Sequence, residues 1–256
     1  MKISRWLACA IFAAAVTMTA GTASAQDAKL KIGTEGAYPP FNSLTADGKL
    51  VGFDIDIADA LCAQMKVECE LVTQDWDGII PALQAGKFDA IIASMSITEE
   101  RKKQVAFTNK YYTTPLAVVA LKDSDLTSTE PAAMAGKTVG AQASTTQSIY
   151  AQDHYTPAGA DVKQYPTQEE AVQDLLNGRL DAIISDKFVL TDWMKTASND
   201  CCKLIGDVAG TETETGIAVR LDDNALREKL NAAIDAIVAD GTYKTIQAKY
   251  FDFDIY

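Results

Sequence analysis

"LQAGKFDAIIAS" at residues 83–94 has a counterpart in "LLNGRLDAIISD" at residues 175–186. The two stretches share a leucine, a glycine, a cation and the run Asp-Ala-Ile-Ile in the same order. Each is typical of a helix end, a glycine stop and a short buried strand. A fainter echo joins "LKIGTEGAY" at residues 30–38 to "KTVGAQAST" at residues 137–145. Because the two pairs of echoes are spaced differently, they indicate two α/β lobes built on one plan and no short-period repeat.

The rest of the chain alternates between strand and helix patterns. "GKLVGFDIDIADALCAQM" predicts a strand and an amphipathic helix with Ile57, Leu61 and Met65 on one face, and "VECELVTQ" predicts the next strand. "WDGIIPALQAG" predicts a helix, "TPLAVVALK" a strand that carries the chain into the second lobe, and the C-terminal segment two helices split at Asp240–Gly241. This alternation predicts largely parallel sheets, whose ligands lie beyond the carboxyl ends of the strands.

The N-terminus predicts a secretory signal peptide over residues 1–25. Lys2 and Arg5 precede an apolar run, and "ASA" at residues 23–25 offers a small-residue cleavage site. The apolar run is too short to span about 30 Å of hydrocarbon, so we expect no membrane insertion. The predicted mature protein begins at Gln26 and is exported to the periplasm.

The chain is acidic, with 23 Lys and Arg against 35 Asp and Glu and a net charge of −12. Such a surface repels nucleic acid and anionic lipid, so we expect neither as a partner. A cationic ligand is compatible with this charge.

The cysteines and the single histidine narrow the chemistry further. In an oxidising compartment Cys62 and Cys69 predict a disulfide. The adjacent Cys201 and Cys202 leave three options open: a vicinal disulfide, free thiols, or pairing with other molecules. His154, the only histidine, lies in a polar segment that is typical of an exposed loop. We therefore expect no metal site, no cofactor and no His-dependent hydrolase.

A second decisive stretch is "ASMSITEER" at residues 93–101, which allows three interpretations. Ser94 or Ser96 as a nucleophile lacks a histidine partner and a nucleophile-elbow context. Ser96 with Glu99 three residues later fits a helix capping box, but capping does not explain Arg101. Hydroxyls and backbone N–H groups at a helix start, beside a guanidinium, suit a carboxylate. We therefore favour a carboxylate-binding segment.

Four strand ends carry complementary polar groups that two facing lobes would bring to one cleft. These clusters are residues 35–38, residues 94–101, residues 144–147 and Asp186. Asp186 can accept hydrogen bonds from an ammonium. The rings of Tyr38 and Trp76, beside the Glu35 carboxylate, suit an extended cationic side chain.

Together and in this order, these motifs resemble the periplasmic amino-acid-binding proteins of ABC importers, in the branch for lysine, arginine, ornithine and histidine. The resemblance runs from "KIGTEGAYPPFN" to "DGTYKTIQAKYFDFDIY" and includes "GFDIDIADAL" and "DAIIASMSITEER". It implies a two-lobe clamp of type II, each lobe a mostly parallel sheet flanked by helices, with two hinge crossovers. The implied lobes are residues 26–113 with 214–256, and residues 114–213. A monomeric, non-enzymatic receptor that delivers its ligand to an inner-membrane permease follows from the same resemblance.

The resemblance also implies roles for individual residues. Arg101 would hold the ligand α-carboxylate with Ser96 and Thr146, and Asp186 the α-ammonium with Ser94. Tyr38 and Trp76 would sandwich the side chain, Glu35 would pair with its distal cation, and Gln147 would finish the wall. The full implied set is Glu35, Tyr38, Trp76, Ser94, Met95, Ser96, Arg101, Gln142, Thr145, Thr146, Gln147 and Asp186. The Cys62–Cys69 pair matches a disulfide of this branch.

Departures from the branch concern the ligand. Ala93 stands where a further serine is common, Glu35 replaces an aspartate and Trp76 a phenylalanine. The combination of "TEGAY", "WDGI" and "MS" is also similar to opine-binding relatives. Arginine, then ornithine and lysine, is the expected order of preference, with octopine or nopaline as the alternative.

Overall fold

The computed structural model of the protein describes residues 29–256. The signal peptide predicted over residues 1–25 lies outside the described residues. Within residues 29–256, no helix is long and apolar enough to cross a membrane.

Thirteen strands and eight α-helices form the described part of the chain. The strands are β1 (Leu30–Thr34), β2 (Ala37–Tyr38), β3 (Asn42–Leu44), β4 (Leu50–Val51), β5 (Cys69–Thr73), β6 (Ala90–Ile91), β7 (Ala106–Thr114), β8 (Leu116–Leu121), β9 (Thr138–Gln142), β10 (Asp161–Tyr165), β11 (Ala182–Asp186), β12 (Cys202–Asp207) and β13 (Thr213–Val219). The helices are α1 (Phe53–Met65), α2 (Ile79–Gln84), α3 (Glu99–Lys102), α4 (Thr146–Tyr150), α5 (Gln168–Leu176), α6 (Lys187–Thr196), α7 (Asn224–Ala239) and α8 (Thr242–Gln247).

Two five-stranded sheets repeat one topology. The first has the order β5-β1-β6-β13-β7 and the second β10-β9-β11-β8-β12. In each sheet the first three strands are parallel, and the fourth runs antiparallel to both of its neighbours. The repeated Asp-Ala-Ile-Ile stretch contributes the middle strand of each sheet, β6 and β11. The predicted α/β fold with two mostly parallel sheets is confirmed.

A glycine in each sheet explains why the two sequence echoes occur together. A Cβ on Gly33 of β1 would lie 2.6 Å from the Phe88 ring, and one on Gly140 of β9 would collide with the Leu180 side chain. Phe88 and Leu180 occupy the same place in the repeated stretch, two residues before the Ala-Ile-Ile run. In both lobes the strand therefore needs glycine so that a large apolar side chain can pack flat against its backbone.

Helices cover both faces of each sheet, as buried parallel strands require. One core of the first sheet includes Phe53, Ile57 and Leu61 of α1, and the other includes Ile79 and Leu83 of α2. The predicted apolar face of α1 is thus buried, apart from the half-buried Met65 at its end. The second sheet likewise has a separate apolar core on each face.

The C-terminal helices pack in the first core. The helices α7 and α8 separate at Gly241, whose φ of 85° is the left-handed conformation that glycine adopts without strain. This break is where the sequence predicts it.

The chain passes between the two sheets twice. It leaves the first sheet between β7 and β8, which are separated by Pro115, and returns between β12 and β13. The lobe boundaries at residues 113/114 and 213/214 remain a prediction.

A third, small antiparallel sheet, β2-β3-β4, follows β1 in the chain and contains the end of the loop after β1.

Both cysteine pairs are bonded. The Cys62–Cys69 disulfide joins the last turn of α1 to the first residue of β5, which confirms the predicted pair. Cys201 and Cys202 form a vicinal disulfide, one of the three options left open by the sequence. His154 is exposed as expected, but it lies on a helical turn over Ala151–Tyr155, so the expected loop is wrong there.

Candidate functional site

The four strand-end clusters meet at one cavity between the two sheets. Its volume is about 10 Å³, so the walls of the cavity lie close together in this structure. Most of its wall residues end or follow β1, β5, β6, β9 and β11, at the carboxyl ends of the parallel strands. The lining residues are Glu35, Tyr38, Trp76, Ala93, Ser94, Ser96, Arg101, Gln142, Thr145, Thr146, Gln147 and Asp186.

This lining differs from the set implied by the resemblance at two positions. Met95 does not line the cavity, because its side chain is fully buried in the core that contains Trp76 and Ile79. Ala93 lines the cavity although it was not in the set. Ala93 belongs to the same core as Met95 but also reaches the cavity, and Ser94 between them has a left-handed φ of 53°.

Arg101 supplies the cavity with a cation. Its side chain is 9 % exposed, and its guanidinium donates to the backbone carbonyl oxygens of Ser96 at 2.9 Å and Ser144 at 3.3 Å. The guanidinium carbon also lies 5.2 Å from the centre of the Trp76 ring, within range of a cation–π contact. Burial lowers the pKa of Arg101 to about 10, so the group remains charged at neutral pH.

The helix that follows the serine stretch begins later than expected. Thr98, and not Ser96, caps α3, because the Thr98 hydroxyl accepts from the Arg101 N–H at 3.2 Å. The predicted Ser96–Glu99 capping box is therefore wrong. Ser96 instead pairs by its backbone with Thr215, and its hydroxyl lies 3.5 Å from the Thr146 hydroxyl across the cavity.

Asp186 and Tyr38 connect the two sides of the cavity. The Tyr38 hydroxyl donates to Asp186 Oδ2 at 2.7 Å and accepts from Gln147 Nε2 at 3.0 Å, and it also lies 3.2 Å from the Ser185 hydroxyl. The second oxygen, Asp186 Oδ1, is buried and has no hydrogen-bond partner in the described part of the chain. Burial raises the pKa of Asp186 to about 6. A buried carboxylate oxygen without a hydrogen bond destabilises the folded protein, so this atom is available to accept a hydrogen bond from a ligand.

Glu35 supplies a second carboxylate. Its Oε1 accepts from Gln142 Nε2 at 2.5 Å, and burial raises its pKa to about 7. Among the described residues, neither Glu35, Asp186 nor Arg101 takes part in a salt bridge. One cation and two carboxylates therefore face the cavity without direct ion partners.

The Ser144 carbonyl connects two residues of the cavity wall, Trp76 and Arg101. It accepts from Trp76 Nε1 at 3.1 Å as well as from Arg101. Thr145 then caps α4 through a reciprocal pair of hydrogen bonds with Ser148, which fixes the second-sheet wall. Sequence reasoning placed Trp76 at a helix start, and Trp76 does begin a 3₁₀ turn, Trp76–Gly78, that leads into α2. The sequence gave no signal for the contact of Trp76 with Ser144.

A buried carboxylate behind the cavity wall was also missed. Asp54, the second residue of α1, accepts from Asn42, Ser94 and Tyr111. Its signal in the sequence is an aspartate inside the otherwise apolar start of "GFDIDIADAL", which reads as a helix-start charge and not as a site residue.

The chain is similar to known amino-acid-binding proteins along nearly its whole length. The sequence model of the bacterial extracellular solute-binding proteins, family 3, matches residues 30–253. The L-arginine-binding protein of Pseudomonas aeruginosa is 47 % identical over 91 % of this chain and 91 % of its own length. The histidine-binding periplasmic protein of Salmonella typhimurium is 40 % identical, with 89 % of each chain covered. The octopine-binding periplasmic protein of Rhizobium meliloti is 34 % identical over 96 % of this chain and 97 % of its own.

A solved structure supports the same relationship. An ancestral arginine-binding protein bound to arginine is 41 % identical, with a TM-score of 0.83 over 87 % of this chain and 98 % of that one.

Proposed function

We propose that this chain, which belongs to the bacterial extracellular solute-binding proteins of family 3, is the periplasmic receptor of an ABC importer and binds a basic L-amino acid. The observation that carries the proposal is the arrangement of unpaired charges in one cavity. Asp186 Oδ1 is buried without a partner, while Arg101 and Glu35 line the same space without a direct ion pair. A zwitterion with a second cation supplies the missing partner of each group.

Arg101 is the proposed anchor of the ligand α-carboxylate. Guanidinium binds carboxylate through two parallel hydrogen bonds, and the hydroxyls of Ser96 and Thr146 flank the same space. The contacts of Arg101 to two backbone carbonyls hold the guanidinium in place before the ligand arrives.

Asp186 is the proposed partner of the α-ammonium. Its Oδ2 is occupied by Tyr38, and its Oδ1 is the free acceptor. Ser94 lines the same cavity and adds a hydroxyl oxygen.

The side-chain end of the cavity selects a cation. The Glu35 carboxylate accepts a hydrogen bond from the Gln142 amide and would pair with the distal charge of the ligand. Trp76 and Tyr38 offer flat rings, which favour a planar guanidinium over a compact, strongly hydrated ammonium. We therefore propose arginine as the preferred ligand, ornithine and lysine as weaker ones, and no binding of glutamate.

Delivery to the membrane would follow from closure of the two lobes. Closure around the ligand would create the surface that an inner-membrane permease recognises, with residues 114–213 moving against residues 26–113 and 214–256. In this proposal the receptor is a monomer, needs no cofactor and leaves its ligand chemically unchanged.

The test is a thermal-shift screen of the common amino acids with octopine and nopaline, followed by calorimetric titration of the hits. Stabilisation by arginine, ornithine and lysine with a stoichiometry of one is expected. A screen in which only acidic or neutral amino acids stabilise the protein would overturn the proposal.

Opine binding is the second candidate, because an octopine-binding protein is among the relatives. An opine carries an alkylated α-nitrogen with an extra carboxylate, so it would bring a like charge towards Asp186. The Ser144 carbonyl also already accepts hydrogen bonds from Trp76 and Arg101, two residues that line the cavity. A tenfold or greater preference for octopine over arginine in the same titration would favour this candidate.

Catalysis on the same fold is the third candidate. A cavity carboxyl with a pKa of about 7, as at Glu35, is of the kind that acts as a general acid or base. Recovery of unchanged arginine after prolonged incubation with the protein is the expected result, and a product detected by mass spectrometry would contradict the receptor proposal.

A further inference from the structure

Asp54 is a charged residue that the binding proposal does not use. It lies in the first turn of α1 and is fully buried, on the side of the cavity wall away from the ligand space. A buried carboxylate is stable only when it is hydrogen-bonded, and its position near the N-terminus of a 13-residue helix favours the negative charge.

Three side chains donate to this carboxylate. Asn42 Nδ2 lies 2.8 Å from Asp54 Oδ2, Ser94 Oγ lies 3.0 Å from the same oxygen, and Tyr111 Oη lies 2.7 Å from Oδ1. An ionised carboxylate only accepts hydrogen bonds, so it fixes the direction of all three.

Two of these donors also present an acceptor to a loop of the cavity. Asn42 directs its amide oxygen to the backbone N–H of Gly36 at 2.8 Å. Tyr111 directs its hydroxyl oxygen to the backbone N–H of Ser94 at 3.2 Å. Asp54 is thereby connected to both cavity loops of the first sheet, residues 35–38 and residues 93–96.

The hydrogen bonds to Asp54 and Tyr111 fix the conformation of Ser94 and determine what its hydroxyl can offer a ligand. Ser94 has a φ of 53°, a left-handed conformation that is unfavourable for a non-glycine residue and is held here by two hydrogen bonds. Its hydroxyl has one proton, which goes to Asp54, so that only its lone pairs remain for the cavity.

We propose that Asp54 is a positioning residue for ammonium recognition: its carboxylate turns the Ser94 hydroxyl into an acceptor towards the ligand and holds the loops at residues 35–38 and 93–96 in their binding conformation. This inference rests on the proposed function, because an acceptor at Ser94 matters only for a ligand with an α-ammonium.

Burial raises the pKa of Asp54 to about 6, so the carboxylate is ionised at neutral pH. The groups that face it are neutral donors, namely the Asn42 amide, the Ser94 hydroxyl and the phenol of Tyr111. Asparagine at this position keeps the size of the side chain but brings an NH₂ group that cannot accept from them.

The test compares two ligands in three variants. The ligands are arginine and 5-guanidinopentanoate, which is arginine without its α-amino group. The variants are Asp54→Asn, Tyr111→Phe, which keeps the charge and removes one member of the network, and Leu61→Ala as control. Leu61 lies on the same helix and is fully buried, but it belongs to the apolar core and not to the network.

The wild-type protein is expected to bind arginine more tightly than the analogue. Asp54→Asn should reduce this ratio of affinities about tenfold, because one buried polar group then loses its hydrogen-bond partner. Tyr111→Phe is expected to reduce it by a smaller factor. Leu61→Ala should lower Tm while the preference stays at the wild-type value. An unchanged preference in Asp54→Asn would overturn the inference.

Amide hydrogen exchange of the ligand-free protein separates this inference from the proposed function. Asp54→Asn should speed exchange in peptides that contain Gly36 and Ser94 and leave the β9 peptide at residues 138–142 unchanged. If wild type bound neither ligand, the proposed function would fail, and the exchange result would still decide whether Asp54 holds the two loops. If Asp54→Asn instead accelerated hydrogen exchange equally in all peptides, as we expect for Leu61→Ala, Asp54 would only stabilise the fold in general, and the inference would be wrong.

Discussion

At the residue scale, the cavity is defined by charges that are buried but not paired with each other. Within residues 29–256, the partners of Arg101 are backbone carbonyls and the Trp76 ring, and one oxygen of Asp186 has no partner. Removing a cation from water is costly, so a buried guanidinium without an anionic partner should bind an anionic group of a ligand. Single substitutions at such positions should therefore change binding more than stability.

Arg101→Ala should weaken arginine binding at least about a hundredfold, because loss of one partner of a buried ion pair costs about 3–5 kcal/mol. Calorimetric titration measures the change. Arg220→Ala is the matched control, since Arg220 is half-buried, bonds to Phe88, Asp89 and Asp223, and does not line the cavity. An Arg101→Ala affinity within tenfold of wild type would mean that the carboxylate binds elsewhere.

Glu35 should make arginine binding depend on pH. Its pKa is about 7, so at pH values below 7 it is largely protonated and must lose a proton before it can pair with a cation. Affinity for arginine should therefore fall as the pH is lowered through 7, and binding at pH about 6.5 should release protons. Titration in two buffers of different ionisation enthalpy measures the release, which Glu35→Gln should reduce.

The stability of the ligand-free protein should change with pH in the opposite direction. The ordinary pKa of 4.5 for Glu35 rises to about 7 on folding, so between these values the folded protein holds a proton that the unfolded chain has lost. The free energy of unfolding should therefore decrease as the pH rises from 4.5 to 7. Asp54 and Asp186 act in the same direction, from 3.8 to about 6. Denaturant titrations of wild type and Glu35→Gln give the contribution of Glu35, and identical profiles would contradict it.

At the scale of elements, the two disulfides differ in what they connect. Cys62–Cys69 joins a helix to the next strand over a sequence separation of 7, whereas Cys201 and Cys202 are neighbours. The two disulfides are buried to the same extent, because in each pair one cysteine is 5 % exposed and the other is half-buried.

Replacement of Cys62 and Cys69 by alanine should cost about 2–3 kcal/mol, because the bond closes a short loop and restricts the unfolded chain. The same replacement of Cys201 and Cys202 should cost less, since adjacent residues close almost no loop. Thermal unfolding of the two double variants measures the difference, and arginine affinity should stay near wild type in both. Equal losses of stability would show that loop closure is not the source of the stabilisation.

At the scale of the whole molecule, the two halves meet through side-chain contacts across the cavity. Tyr38 bonds to Asp186 and Gln147, Glu35 to Gln142, and Ser96 lies against Thr146. In the proposed clamp, these contacts and a bound ligand would both favour closure, because both join the two halves.

Tyr38→Phe should shift the ligand-free protein towards an open arrangement, since each lost hydrogen bond contributes about 1 kcal/mol. Small-angle X-ray scattering should show a larger radius of gyration, which arginine then reduces. Tyr112→Phe is the control, because Tyr112 packs in the same aromatic cluster and its buried hydroxyl has no hydrogen-bond partner among residues 29–256. The same expansion in both variants would mean that the Tyr38 hydroxyl does not hold the halves together.

The sequence by itself determined the features that depend on near neighbours. The repeated glycine and Asp-Ala-Ile-Ile run, the alternation of strands with helices and the break at Gly241 all follow from local periodicity and backbone preference. Residues at the ends of parallel strands were predicted to share one cleft, because that edge is common to all parallel strands of a sheet. Family membership follows from the order of these motifs.

Only the tertiary structure decided which polar groups meet. Tyr38 and Asp186 are 148 residues apart, and the donors of Asp54 come from three different segments. The structure also shows a left-handed backbone at Ser94, Ala93 rather than Met95 at the cavity, and Thr98 rather than Ser96 at the start of α3. Such pairings depend on the path of the whole chain and on a single unusual backbone angle, and neither is contained in the composition or spacing of a short stretch.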